Sequence, residues 1–281
     1  MSIKSTLVCL VTCSRDESRR DISTAVVKNL AEKIPNAALS NSFIVFDNNS
    51  IFKEHLEHVP AGTKIIESPE NIGYWTAIKW VLDNHPEVMN KTFDYIYLIE
   101  SDLIHTDLKA LAECERFLEE NPQASCVRTQ EFSVRWNWRY NKKFKFLPFR
   151  KIRSIVHMHN DVTKEKAWFR KVIGFNNIYL SNLHAKLPAL NRMDLMKKVF
   201  NELELMDGFS EPDFFRLAHQ HLPNIGVLDG GLWYQLSTLE TNEVISGSYS
   251  SPELLKKTGY KETRRSRILS PPQDLKISRV A

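Results

Sequence analysis

Four short polar clusters in this chain hold side chains able to do acid–base or cation chemistry. Thr12-Cys13-Ser14-Arg15, Asp47-Asn48-Asn49-Ser50 and Glu100-Ser101-Asp102 each follow an apolar run, and Glu211-Pro212-Asp213 stands further along. Carboxylates two positions apart can accept hydrogen bonds, hold a hard cation through oxygen, or take a proton from an attacking hydroxyl. The same residues have structural uses. Asp forms turns at strand ends, Glu100 and Asp102 could end a strand and cap a helix near Thr106, and Ser210 with Asp213 is a capping-box pattern in which Pro212 suits the first turn.

The elements that must position these clusters alternate along the chain. Leu7 to Thr12 reads as a buried strand. A helix follows from about Asp21, with Ile22, Val26, Leu30 and Ile34 four apart on one face and Pro35 as its end. Phe43 to Phe46 is a second strand, closed by a turn cluster at Asp47 to Ser50, and Lys64 to Ile66 is a third. Asn71-Ile72-Gly73 opens a helix carrying Trp75, Ile78 and Leu82; Tyr95 to Ile99 is the fourth strand; a helix with Leu108, Leu111 and Leu118 comes next. This order predicts an α/β domain with a mostly parallel sheet flanked by helices. Ligands bind such sheets beyond the carboxyl ends of the strands, so the first three clusters should line one site.

Composition bounds the rest. With 281 residues, 42% of them hydrophobic, and only 9 Gly and 12 Pro, the chain is neither disordered nor fibrous. Its four cysteines form no Cys-x-x-Cys pair and read as reduced thiols of a cytosolic protein. The N-terminus lacks the apolar stretch of a signal peptide, and no apolar run approaches the ~20 residues that span a bilayer. The expectation is a cytoplasmic protein, at most peripheral at the inner face of a membrane.

In this order and on these elements, the Thr-Cys-Ser-Arg, Asp-Asn-Asn-Ser, Glu-Asn-Ile-Gly and Glu-Ser-Asp clusters resemble the N-terminal half of family 2 glycosyltransferases of the GT-A fold, over roughly residues 5–130. A second stretch, about 187–235, is similar through Leu190-Asn191-Arg192, Gly208 to Arg216 and Val227-Leu228-Asp229. The resemblance implies a nucleotide-sugar donor, a UDP-sugar foremost, bound by Thr12, Arg15 and Asp47, with Asp47 accepting from an imino N–H of the base. Asn71 and Gly73 would hold a loop over the nucleotide or cap the next helix. Asp102 would ligate Mn²⁺ or Mg²⁺, and Glu100, where the family more often has Asp, would face the donor's ribose or sugar. An inverting reaction needs a base, which falls on Glu211, with Asp213 as the alternative. The family often adds a histidine ligand after the following strand, but Leu228 to Gln235 contains none; His157, His159, His219 and His221 are the substitutes to consider.

Charge sets off the remaining segments. Residues 133–171 hold twelve basic residues against Asp161 and Glu165, a balance of +10, and 256–281 balance at +6, so the body carries −12 to reach the net +4. Trp136, Trp138, Tyr140, Phe144, Phe146, Phe149, Trp168 and Phe169 interleave with the first basic stretch. Such a mixture suits an anionic glycan or lipid-linked acceptor, a membrane surface or, ranking behind these, nucleic acid; it equally suits a solvated lid. The expected organisation is a nucleotide-sugar half (1–132), a basic aromatic insertion or lid (133–185), an acceptor-side half (186–250) and a basic extension (251–281). The function expected is sugar transfer to an acceptor hydroxyl in polysaccharide synthesis. The alternatives are a nucleotidyltransferase, a silent sugar-nucleotide binder, or a nucleic-acid binder or modifier on the same fold.

Overall fold

A strand that is apolar on both faces requires a packed layer on each side, and β1 (Thr6–Thr12), buried at every position, sets that requirement at the centre of the fold. The computed structural model of the chain describes residues 5–39, 42–90, 92–131, 168–183, 187–236 and 266–280. After β1 come α1 (Glu17–Asn36), β2 (Phe43–Asn48), β3 (Lys64–Ser68), α2 (Tyr74–Asn84), the short α3 (Pro86–Met89), β4 (Tyr95–Ile99) and β5 (Leu103–His105). Then follow α4 (Ala110–Glu120), β6 (Ala124–Glu131), β7 (Phe169–Lys171), β8 (Ile178–Ser181) and β9 (Ala189–Arg192). The chain continues through α5 (Met193–Glu204), α6 (Glu211–His221), β10 (Asn224–Gln235) and β11 (Lys276–Arg279).

Among the described residues these strands form one sheet in the order β11-β3-β2-β1-β4-β9-β6-β10-β8-β7, with β5 paired to β10. Pairing is parallel across β3, β2, β1 and β4, and mixed beyond, where β9 runs antiparallel to both β4 and β6. Side chains alternate along β1, so Leu7, Cys9 and Val11 enter one apolar layer with α2, α5 and α6. Val8 and Leu10 enter the other, with α1 and α4.

Three expectations need correcting. α1 starts at Glu17 rather than near Asp21, because Asp16 accepts the Arg19 N–H at 2.8 Å as N-cap while the first turn is polar and carries no apolar period. Pro35 lies inside its last turn, where the missing N–H forfeits a single bond and Ala37 N closes the helix on Ile34 and Lys33. Asp47 and Asn48 are strand residues of β2; the turn falls at Asn49, which has φ 62°.

The third correction bears on the site. Glu100-Ser101-Asp102 does not lead into a helix, and Thr106 caps none. The chain enters β5, which pairs antiparallel with the end of β10 through Leu103 and Gln235, and Thr106 donates from N and Oγ1 to the Leu232 carbonyl. Asn29 of α1 braces β5 from the other side, accepting from His105 N at 2.8 Å and donating to His105 O at 3.0 Å. Leu236 N donates to Asp102 O at 2.9 Å, so the acidic turn is held by backbone on both flanks.

Residues 168–183, expected in the insertion, include β7 and β8, which extend the sheet beyond β10. Residues 133–167 lie outside the described residues. Near the C-terminus, Ser266 exchanges two backbone bonds with Phe209, Leu269 N donates to Thr76 Oγ1 at 3.0 Å, and β11 closes antiparallel on β3. The end of the chain therefore straps the loop before α6 to α2 and to the far edge of the sheet.

Gly226 of β10 shows how tightly the second layer is packed. A Cβ there would meet Phe117 Cε1 at 2.7 Å and Val127 Cγ2 at 2.9 Å, and both neighbours are fully buried. Gly226→Ala should therefore destabilise by about 1–3 kcal/mol, read as a lower urea midpoint with an unchanged slope. A wild-type midpoint would mean that α4 can move away from β10.

Candidate active site

Parallel pairing of β1 and β2 sets Thr12 beside Asp47 at the carboxyl edge of the sheet. The Asp47 carboxylate has 0% exposure; it accepts from Thr12 Oγ1 at 3.1 Å and from Ser50 N at 3.3 Å, and lies 3.5 Å from His55 Nε2. Burial pushes its pKa up, but the bonds from His55 and Ser50 outweigh burial and hold it below the usual carboxylate range. His55 comes from a 3-10 turn, Glu54–His58, and also lies 3.1 Å from Thr12 Oγ1. Sequence reasoning missed this histidine, since no spacing pattern links it to Asp47.

A second tier fixes the loop before α2. Asn48 donates to Asn71 Oδ1 at 2.9 Å and accepts from Ile72 N at 2.9 Å, while Asn71 Oδ1 also accepts from Gly73 N and its Nδ2 reaches Cys13 Sγ at 3.3 Å. Asn71 thus holds the loop rather than capping α2. Gly73 occupies the N-cap position at φ 82°, a conformation that suits glycine, and supplies no side-chain bond. Arg15 stands half-buried at the same edge, its Nε buried and without a partner among the described residues. Its guanidinium pulls the Cys13 thiol down, yet burial prevails and the thiol pKa is raised.

The Glu100–Asp102 turn follows β4 at the same edge of the sheet. Asp102 is buried and Glu100 half-buried in the turn between β4 and β5. Glu211 is the first residue of α6, half-buried, behind the N-cap Ser210. Asp213 is engaged structurally: one oxygen accepts from Ser210 N and Oγ at 2.8 Å, the other from Arg216 Nη2 at 3.1 Å. Burial raises the Asp213 pKa, but the Ser210 and Arg216 bonds win and lower it. Tyr74, the first residue of α2 and a second residue that the sequence did not flag, has a buried hydroxyl. Burial above all, with smaller contributions from Glu100, Cys9 and Glu211, holds the Tyr74 pKa well above the ordinary phenol value.

Among the described residues no group of three or more His, Cys, Asp or Glu could hold a metal ion. His221 is bound to Glu202 at 2.6 Å in the last turn of α6, and His219 shares that turn, at the opposite end of the helix from Glu211. His157 and His159 lie outside the described residues. Arg192, flagged by its place before α5, is a brace, donating to the carbonyls of Leu118, Asn121 and Ala124.

No family model and no curated protein matches the sequence. Solved structures match in fold. S. aureus TarS 1-349 in complex with UDP-GlcNAc aligns with a TM-score of 0.50 and 15% identity, over 89% of this chain and 62% of that one. TarS 1-349 alone gives 0.48 and 14%, over 83% and 60%, and a longer TarS chain 0.48 and 14%, over 82% and 36%. This chain thus spans less than two thirds of each TarS chain. The fold is the GT-A fold that the strand-end motifs resemble.

The engagement of Asp213 has a pH signature. Asp213→Asn should cost about 0.5–2 kcal/mol of stability near neutral pH, as loss of a helix cap does. Because the folded-state pKa is depressed, the wild-type advantage is complete above the unfolded value of about 4 and fades as pH falls through the folded one. Urea titrations at several pH values check this; a gap that stays constant into the acid range would contradict it.

Proposed function

We propose that the protein is a glycosyltransferase that moves a sugar from a nucleotide-diphosphate donor to an acceptor hydroxyl with inversion. The observation that carries the reading is the carboxyl edge of the parallel strands, where β1 and β2 set Thr12 against the buried Asp47 and the neighbouring β4 runs out into Glu100 and Asp102. A nucleotide base would sit against Thr12 and Asp47, where an imino N–H exchanges with one of the protein donors now bound to the carboxylate. TarS, which shares the fold, was solved with UDP-GlcNAc, and this supports a UDP-sugar as donor.

The donor diphosphate would lie toward Arg15, whose unpartnered Nε offers a charged donor. Asp102 and Glu100 fit a hard divalent cation, Mn²⁺ or Mg²⁺, of the kind that takes one or two carboxylates and completes its shell with diphosphate oxygens and water. Such an ion would stabilise charge on the departing diphosphate. Glu211 takes the proton of the acceptor hydroxyl as its oxygen bonds to the anomeric carbon, and the bond from that carbon to the diphosphate oxygen breaks with its electron pair leaving on the diphosphate. Asp213, already committed to Ser210 and Arg216, holds the helix end that presents Glu211.

The acceptor is an anionic or lipid-linked glycan, in keeping with polysaccharide synthesis at a membrane's inner face. The basic aromatic stretch supports this, and its described end exposes Trp168, Arg170 and Lys171 along an edge strand. No helix among the described residues is long and apolar enough to cross a membrane, so the contact proposed is peripheral.

Binding and turnover should separate cleanly. Asp102→Asn, or EDTA on the wild type, should weaken UDP-sugar binding in calorimetry. Glu211→Gln should leave donor affinity little changed while lowering transfer by roughly 10²–10⁴-fold. Transfer that survives in Glu211→Gln but is lost in a well-folded Asp213→Asn would move the base by two residues.

The surface contact is tested with vesicles. Liposomes containing anionic lipid should retain the protein at low salt and release it at high salt, and losing the charges of Arg170 and Lys171 to Gln should weaken retention by about 1 kcal/mol each. Equal sedimentation with neutral and anionic vesicles would remove the membrane, and tight salt-sensitive oligonucleotide binding would favour nucleic acid.

A further inference from the structure

Among the described residues the large apolar side chain most open to solvent is Ile173, at 97% exposure. Single exposed aliphatics are common on soluble proteins, so its setting has to decide what it does. Val172 to Phe175 form a turn: Phe175 N donates to the Val172 carbonyl at 3.2 Å, and Gly174, the third residue, takes φ 88°. The turn is braced from α4. Arg116 lies over the Phe175 ring at 4.0 Å and donates from Nη2 to the Gly174 carbonyl at 2.9 Å, while Phe175 is buried against Phe117, with centroids 5.3 Å apart. One apolar residue of the turn is locked inward, and the backbone that fixes it holds Ile173 outward. The fold needs no aliphatic at that second position, where proline serves as well.

The strand that leads into the turn has matching chemistry. β7 is the last strand of the sheet, with Arg170 and Lys171 exposed, Trp168 39% exposed just ahead of it, and the Arg170 guanidinium 6.0 Å from the Trp168 ring. From Trp168 to Leu183 the sequence contains no Asp or Glu. Two acids border the turn: Glu120, paired with Arg116 at 3.3 Å, and Asp229, whose N donates to the Asn177 carbonyl. Cations, an amphipathic ring and an aliphatic tip together suit the boundary between anionic headgroups and acyl chains.

Strand polarity shows where such a contact would place the site. Between β1 and β7 the sheet has four antiparallel pairings, β4–β9, β9–β6, β10–β8 and β8–β7, so β7 runs parallel to β1. The turn after β7 therefore lies toward the same carboxyl edge as Thr12, Asp47 and the Glu100–Asp102 turn. We propose that the β7–β8 turn inserts Ile173 into an anionic leaflet, with Trp168, Arg170 and Lys171 at headgroup level, and that this contact turns the carboxyl edge of the sheet toward the membrane. The insertion rests on the peripheral contact proposed above, and adds to it an anchoring point and an orientation.

Vesicles of phosphatidylcholine and phosphatidylglycerol in equal parts, mixed with the full chain at low salt, provide the test. Ile173→Ser should partition roughly tenfold more weakly than wild type, with an unchanged melting temperature. In Ile173→Trp, lipid brominated on its acyl chains should quench more fluorescence than in wild type. In Met89→Trp it should not, because Met89 is exposed in α3, ahead of the amino end of β4 and so at the opposite edge. Wild-type partitioning of Ile173→Ser would overturn the insertion and leave the electrostatic contact of Arg170 and Lys171 standing. A lowered melting temperature would overturn it in favour of a packing role. Quenching in Met89→Trp equal to that in Ile173→Trp would overturn the orientation. A wild-type dimer in the absence of lipid that Ile173→Ser dissociates would give the turn to a second copy and overturn the membrane assignment. A wild type that ignores these vesicles would remove the peripheral contact and the insertion together, while calorimetry with UDP-sugars would judge the glycosyltransferase reading separately.

Discussion

A negative charge with no exposure to water sits at the end of β2, and the mouth of the sheet is organised around keeping it there. Burial would raise the Asp47 pKa, but the bonds from His55 and Ser50 lower it, and Thr12 donates to the same carboxylate. Each of those contacts depends on something larger. Thr12 needs the β1–β2 register, and Ser50 needs the left-handed turn at Asn49. His55 needs the 3-10 turn to return over the sheet edge. Removing one partner from a buried charge is costly, so the geometry of three separate segments is locked to one carboxylate. The neighbouring Asn48 carries that order onward to Asn71, and so to the start of α2.

At the start of α6 two acids stand two residues apart, and Asp213 carries the helix cap. Asp213 completes the helix start with Ser210 and pairs with Arg216, while Glu211, two residues earlier, is the acid proposed as the base. The capping box rests on Ser210 and Asp213, so the proton-acceptor role proposed for Glu211 does not compete with it.

Much of this was legible in the sequence. Buried strands such as Tyr95–Ile99 announce themselves as apolar runs, and each acidic cluster was placed at the correct end of its strand or helix. What escaped has physical causes. The first turn of α1 is set by the Asp16 side chain rather than by periodicity. β5 is three residues long and exists because β10 and Asn29 offer it partners from distant parts of the chain. His55 and Tyr74 became visible only through burial: nothing in Glu-His-Leu-Glu-His or in Ile-Gly-Tyr-Trp states which side chain will be enclosed, and a phenol without a partner is a property of three dimensions alone.

The C-terminal strap acts as a tape of fixed length drawn between the loop before α6 and the outer edge of the sheet at β3. Its two ends are unequal anchors. Beside Phe209 the strap packs Ile268 against the core and bonds Leu269 N to Thr76, so a slip by one residue would turn an apolar side chain outward; at β11 every residue is exposed, so a slip there merely exchanges one solvated side chain for another. A change of one residue in the span between Ser266 and Lys276 would therefore be absorbed at the sheet edge. The cleft end would keep its register, and the spacing between the acidic pairs would outlast variation in the tail that ties them.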